Sequence, residues 1–423
     1  MSRLLILLCA IPLCALPLCA QTTLLRCGKL LDVKTGVYLS NALISVTGGV
    51  IESINGPTPP GVSVIDLSGA TCLPGLIDSH THITGDPRNS GYRRLGISVP
   101  REALIGARQA RTTLLAGFTT LRNVGARGYA DVALRDAIQE GDVPGPRLFV
   151  SGPSLGITGG HCDSNLLPSE FNFRTAGVAN GPWEARAKVR EVVKYGADLI
   201  KICATGGVLS KGDGVGTQQY TLEEMQAIVE EAHKLERKVA AHAHGAEGIK
   251  DAIRAGVDSV EHCSLIDEEG IRLAKQKGTV LNFDIYNDDY ILTEGLKNGV
   301  LPESIEKEKL VGKLQRENFR KAYLAGATMG FGSDAGVYPH GDNWKQFPYM
   351  TEFGMKPIEA IRAATLTNAA LMNLSAKAGQ LAKGFWADII AIEGDPLADI
   401  RMMEKVTFVM KDGKVYRNDL GRK

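Results

Sequence analysis

The chain carries almost no excess of either charge: 48 Lys and Arg stand against 47 Asp and Glu, a formal net charge of +1. Bulk charge therefore gives no reason to expect nucleic acid or an anionic membrane as a partner. No Cys-x-x-Cys occurs among the eight cysteines, at 9, 14, 19, 27, 72, 162, 203 and 263. Three of them fall in the apolar N-terminal segment. The odd remainder, widely spaced, is not a disulfide framework. Most of these are read as free, buried thiols, with room for one disulfide. There is no internal repeat and no low-complexity tract, which excludes solenoids and arrays. No Gly-x-Gly-x-x-Gly sits at a strand–helix junction, which weighs against a dinucleotide-binding, doubly wound sheet.

What is present fits a large soluble globular protein. The 423 residues are 44% hydrophobic and 22% charged, and 48 of them are glycine. That length allows one big domain plus something extra. The glycines suit a fold with many tight turns. Residues 1–20 read as a signal peptide: Arg3, then an apolar run from Leu4 to Leu18, then Leu18-Cys19-Ala20 before Gln21. Pro12, Pro17 and a marginal length oppose a membrane anchor. The bulky Leu18 opposes lipidation of Cys19. The expectation is an exported protein of bacterial type, periplasmic or secreted, with no membrane span in the mature chain.

Residues 21–72 are β-like, with short alternating runs broken by Gly, Pro and Asn. The rhythm then changes. Strand-like segments "LIDSHTHI", "FTTLRNVG", "RLFVSG", "ADLIKICAT", "KVAAHAHG", "SVEHCS", "TVLNFDIY" and "ATMGFGSDAG" alternate with helical ones. Helices are expected over Arg101–Ala116, Trp183–Tyr195, the segment opened by a Thr221/Glu224 capping box, Pro302–Leu324 and Pro357–Leu374. Eight strands alternating with helices point to an α/β fold, a (β/α)8 TIM barrel, over residues 73–375. Residues 376–423 return to β-type runs. They are expected to join 21–72 in a small flanking β-sandwich domain built from both chain ends.

In such a barrel the chemistry lies at the C-terminal ends of the strands. His80 and His82 share one face at the end of the first. Alone, they could be metal ligands or polar residues on a wet face. Six of the eight histidines, however, fall at these ends or loops: His80, His82, His161, His242, His244 and His262. Asp334 ends the eighth strand. Such placement indicates a metal site. Lys201, between isoleucines on the fourth strand, is either functional or an ion-paired core residue.

Taken together, "PGLIDSHTH", Lys201, His242, His262, Asp334 and the return "GQLAKGFWADIIAIEGDPL" resemble the amidohydrolase superfamily over nearly all of the mature chain. Within it, "TGGH", "IKICATGGVLS", "AAHAHG" and "VEHCS" resemble the Xaa-Pro dipeptidase (prolidase-like) and ochratoxin-degrading branch. The resemblance implies two divalent metals, expected to be zinc, held by His80, His82, Lys201, His242, His262 and Asp334. Lys201 would be carboxylated and bridge them. Two such ions acidify a shared water. Asp334 would move its proton to the leaving amine. His161 would stabilise the oxyanion or hold the substrate. His244 rivals His242 as ligand, and otherwise contacts substrate together with Tyr220. Glu261 should point away from the site. Arg93, Arg94 and Lys345 are unranked candidates for a substrate carboxylate.

The implied activity is hydrolysis of an amide or peptide bond next to a C-terminal amino acid, on a dipeptide or other small substrate, by an enzyme expected to be a homo-oligomer. The rival within the superfamily is a mononuclear ring deaminase or cyclic-amide hydrolase. Gly245 stands where those enzymes commonly place an acid, and Lys201 is generally absent from them. A non-catalytic periplasmic binding protein is the rival from another class.

Overall fold

A computed structural model describes residues 22–57 and 60–420, so the expected signal peptide lies outside the described residues. The chain opens with strands β1 (Thr23–Asp32), β2 (Val37–Thr47), β3 (Val50–Ile54) and β4 (Ser63–Pro74). Then follow β5 (Leu76–Thr81), β6 (Phe118–Asn123), β7 (Arg147–Val150), β8 (Leu199–Cys203), β9 (Lys238–Ala243), β10 (Ser259–His262) and β11 (Val280–Asn282). Between and after them run helices α1 (Val99–Leu115), α2 (Ala130–Glu140), α3 (Gly181–Lys194), α4 (Leu222–Lys234), α5 (Ala246–Ala255), α6 (Glu268–Lys277), α7 (Asn287–Asn298) and α8 (Pro302–Leu324). Strands β12 (Ile389–Ile392), β13 (Val406–Lys411) and β14 (Lys414–Asn418) close the chain.

Local chemistry accounts for several of these boundaries. The Thr221 side chain accepts from Glu224 N, and Glu224 reaches back to Thr221 N, so the capping box starts α4. Pro302 opens α8 at a position where its missing N–H is not needed. Every residue of β5, β6 and β8 is buried, polar ones included, as in strands covered on both faces.

Both chain ends contribute to one seven-stranded sheet, in the order β14-β13-β12-β4-β1-β2-β3. Leu25, Ile44, Leu67, Ile389 and Phe408 gather into a core of its own. The expected sandwich is therefore a single hydrogen-bonded sheet that encloses its core.

The parallel strands form two ladders, β5-β6-β7 and β8-β9-β10-β11. Single parallel bridges join them: Leu155 to Ile202, Leu281 to Met329, and Thr81 to Ala335. The expected eighth strand, 327–336, makes such bonds without a ladder of its own. Ser79 N donates to Phe331 O at 3.0 Å and Asp334 N to His80 O at 2.7 Å. Two features interrupt it. Asp334 is left-handed, with φ of +57°. Gly332 lies so close to β5 that a Cβ there would come within 2.9 Å of His80 Cβ. The final helix, expected as continuous, widens into a π-turn over Ala363–Thr367 between two α-helical pieces.

The cysteines differ from expectation. Cys27 pairs with Cys72 across β1 and β4, and Cys162 pairs with Cys203. Only Cys263 is a free buried thiol among the described residues. Sequence spacing holds no record of these pairs, because neither arises until strands and loops have packed. Among the described residues, no helix is long and apolar enough to cross a membrane.

Candidate metal centre

The strand ends bring the predicted residues together. His80 lies in β5, His82 just beyond it, His242 in β9, His244 beyond it, and His262 closes β10. Ring centroids of His262 lie 4.9 Å from His80, 4.5 Å from His242 and 4.7 Å from His244. Asp334 Oδ1 stands 3.3 Å from His80 Nε2 and 3.2 Å from His82 Nε2. Two trios, His242/His244/His262 and His80/His262/Asp334, each offer ligand atoms within 4.8 Å of one another. All but His80 line a cavity of about 620 Å³ at the strand ends, together with Lys201.

Unpaired atoms say what these groups are for. His80 Nε2, His242 Nε2 and Asp334 Oδ1 are buried without a hydrogen-bond partner; the close approach of His80 to Asp334 lacks hydrogen-bond geometry. Lys201, 3% exposed, makes no side-chain hydrogen bond or ion pair among the described residues. Each such vacancy costs about 1–3 kcal/mol, more for a charged group. A cation bound among the imidazole nitrogens and the carboxylate would satisfy the His80, His242 and Asp334 atoms. The opposite ring nitrogens are already held. Glu261 Oε2 lies 3.1 Å from His80 Nδ1, Asp284 Oδ1 is 3.0 Å from His262 Nδ1, and Ser264 Oγ is 2.8 Å from His244 Nδ1. Such contacts orient metal-binding imidazoles and leave the other nitrogen bare.

Burial sets the charge states. It drives His242 and His244 well below the usual histidine range, so both are neutral and available as ligands. Burial would raise Asp334, but His80 and His82 outweigh it and keep the carboxylate ionised. Burial pushes Lys201 down to about 8, against the pull of Glu261 and Asp334.

Residues 71–416 match the Amidohydrolase family. The chain belongs to that family. It is 33% identical to an ochratoxinase of Aspergillus niger over 428 residues, covering 94% of this chain and 87% of the relative. It superposes on the crystal structure of a Xaa-Pro dipeptidase with methionine bound in the active site, with TM-score 0.88 and 38% identity, covering 94% of this chain and 100% of the other. A prolidase complexed with N-methylphosphonate-L-proline aligns with TM-score 0.86 and 32% identity, covering 94% and 100%. The amidohydrolase is thus a hydrolase of C–N bonds, acting on amides or peptides, in the prolidase and ochratoxinase branch. Divalent metals are usual in this family, and the histidine trios suit one.

The remaining predicted residues of this amidohydrolase fall in different places. His161, on the loop after β7, stacks on His242 with centroids 4.0 Å apart. Tyr220 is removed from the substrate set: it is fully buried, and its hydroxyl donates to Ala179 O at 3.1 Å. It stands directly before α4, and that helix start turns its ring into the core. Of the three carboxylate candidates, Arg94 lines the cavity. Arg93 donates to Arg88 O, and Lys345 is taken by Asp342 and Tyr286. Glu261 was expected to point away. Instead it lies beneath His80, because strand alternation ends where His262 and Cys263 turn left-handed, with φ of +73° and +54°.

Sequence reading also missed Asp284, Asn287 and Gln315. Asp284 orients His262. Asn287 Nδ2 donates to Asp284 and to Asp334 Oδ2, both at 2.8 Å, and Gln315 Nε2 donates to Asp284 Oδ1 at 2.8 Å. The Asp in "NFDIY", at the end of a strand, was the available signal for the first.

Proposed function

We propose that this amidohydrolase is binuclear and cleaves the amide or peptide bond next to a C-terminal amino acid, in the manner of a dipeptidase or carboxypeptidase, with N-acyl amino acids such as ochratoxin A among its substrates. The observation that carries the reading is the set of buried, unpartnered atoms on His80, His242 and Asp334 around an unpaired Lys201. The ochratoxinase and prolidase relatives support the substrate class.

In this reading His80, His82, His242, His262, Asp334 and a carboxylated Lys201 would hold two divalent ions, zinc by donor chemistry. Lys201 is suited to that role. Burial lowers its pKa to about 8, which raises the share of neutral amine, whose lone pair can attack carbon dioxide, release one proton and leave an anion. When bound, the ions supply Lewis acidity and an activated water. Asp334 would take up a proton from the attacking water and pass it to the leaving amine, with Asn287 holding its Oδ2. His244 lines the wall beside His262 and contacts the substrate, and His161 faces it from the opposite loop.

Export with cleavage near residue 20 belongs to the same proposal. Two disulfides suit an oxidising compartment.

The test is a substrate screen with purified enzyme: N-acyl amino acids, Xaa-Pro and other dipeptides, ochratoxin A, and a panel of ring amines and cyclic amides. Release of a C-terminal amino acid is the expected result. Ammonia from ring amines with no peptide cleavage would move the enzyme to the deaminase-like branch, and no turnover of any compound would favour a binding protein.

A further inference from the structure

A polar cluster stands behind His161 at the cavity wall, and of it the reading above uses only that ring. His161 Nδ1 lies 2.7 Å from Ser210 Oγ, and Ser210 Oγ lies 2.6 Å from Asp213 Oδ1. Asp213 is anchored in turn. Lys307 Nζ from α8 reaches its Oδ1 at 2.9 Å and also donates to Ser210 O at 2.8 Å and Gly207 O at 3.1 Å. Gln219 ties both ends together: its Oε1 accepts His161 N–H at 3.0 Å, and its Nε2 donates to Asp213 Oδ2 at 3.1 Å. The next residue, Cys162, is bonded to Cys203 at the end of β8. Gly207 leaves the space in which the ring stands. A Cβ there would fall 2.7 Å from His242 Nε2 and closer still to the His161 ring.

The hydrogens in this chain can be counted. Ser210 has one hydroxyl hydrogen. Its neighbours Asp213 Oδ1 and Gly207 O can only accept, and the ion pair with Lys307 keeps Asp213 a carboxylate. The hydroxyl therefore donates to Asp213, and its oxygen is left to accept from His161. Nδ1 must carry a hydrogen. In the neutral ring with that hydrogen on Nδ1 the other nitrogen, Nε2, is bare, and His161 lines the cavity.

We propose that Asp213, acting through Ser210 and anchored by Lys307, is a positioning residue that holds His161 in its Nδ1–H form and presents Nε2 to the substrate as a hydrogen-bond acceptor. The inference rests on the amide-hydrolase reading and sharpens it. Of the two roles expected for His161, the neutral ring fits holding a substrate N–H or a water; it has no hydrogen on Nε2 to give to an oxyanion. Asp213 and Ser210 do not touch substrate.

The test compares metal-loaded wild type with Asp213→Asn, Ser210→Ala, Ser210→Thr, His161→Ala and the double variant His161→Ala/Asp213→Asn, recording metal content, kcat and KM on a cleaved amide. Asp213→Asn and Ser210→Ala should each lower kcat/KM roughly 10- to 100-fold with metal content unchanged, the range usual for partners that orient an active imidazole. Ser210→Thr, which keeps the hydroxyl, should recover most of the loss. In the His161→Ala background, Asp213→Asn should cost nothing more, since its effect passes through the ring. A multiplied loss in the double variant, or near wild-type kinetics for both single variants, overturns the proposal. If wild type cleaves no amide, the functional reading fails. The positioning inference is then read from the nitrogen shifts of histidine-labelled, zinc-loaded full-length protein, with His161 assigned by its loss in His161→Gln. A protonated Nδ1 and bare Nε2 are expected; the reverse overturns it.

Discussion

Two cations are buried among the parallel strands, and their surroundings are opposite. Arg122 on β6 and Lys201 on β8 are each 3% exposed. Arg122 is fully paired. Its Nη2 meets Glu261 Oε1 at 2.7 Å, its Nη1 donates to Ser259 Oγ at 3.1 Å, and its Nε donates to Ser79 O at 2.5 Å. Asn282 completes the layer by donating to Glu261 Oε2 at 2.9 Å. Lys201 has no such partner, and the histidine and aspartate atoms around it are likewise unsatisfied. A protein tolerates a buried cation when a network neutralises it, as around Arg122. It leaves one bare only where something else is to bind or react. The contrast makes the Arg122 layer scaffold and the Lys201 layer the proposed site, with Glu261 joining them through His80.

The sharpest break between the layers comes from Lys201→Ala. Activity should fall to background and bridging metal should be lost, while the fold survives because no network is broken; a fully active, two-metal variant would sink the carbamate assignment. Next is Asp334→Asn, which keeps the shape but removes the proton carrier. Its kcat should drop by about 10²- to 10⁴-fold, and a kcat near wild type would remove Asp334 from proton transfer.

Arg122→Met should act the other way, on stability first. It leaves Glu261 charged, buried and without its guanidinium, at a cost of about 3–5 kcal/mol. Denaturant melts should show this, with partial recovery in Arg122→Met/Glu261→Gln. An unshifted midpoint would contradict the division into layers. The smallest effect belongs to Tyr220→Phe, which deletes one neutral hydrogen bond worth about 1 kcal/mol. Its KM should stay at the wild-type value, and a raised KM would return Tyr220 to the substrate wall.

Legibility in the sequence followed the range of the interactions. The apolar run Leu199–Cys203 announces a buried strand by itself, and His80 and His82 at the end of Leu76–Thr81 announce a candidate metal site. Helix α8 was readable to the residue, because Pro302 starts it and its pattern persists to Leu324. The eighth strand was over-read, since its apolar letters hide a left-handed Asp334. Glu261 was mis-faced for a similar reason, as alternation assumes a regular strand. Groups that meet only through packing left no trace. Lys307 reaches Asp213 from 94 residues away, and the Cys162–Cys203 pair spans 41. Tyr220 looked like a site residue because it follows a site strand, yet a single helix start turned it into the core.

The most direct test of the central claim is metal per chain in freshly purified enzyme, read together with the carbamate carbon signal after equilibration with isotopically labelled bicarbonate. Two metals per chain and one carbamate signal that vanishes in Lys201→Ala are predicted. One metal per chain with no carbamate signal would contradict the binuclear centre and leave Lys201 a buried cation without a purpose.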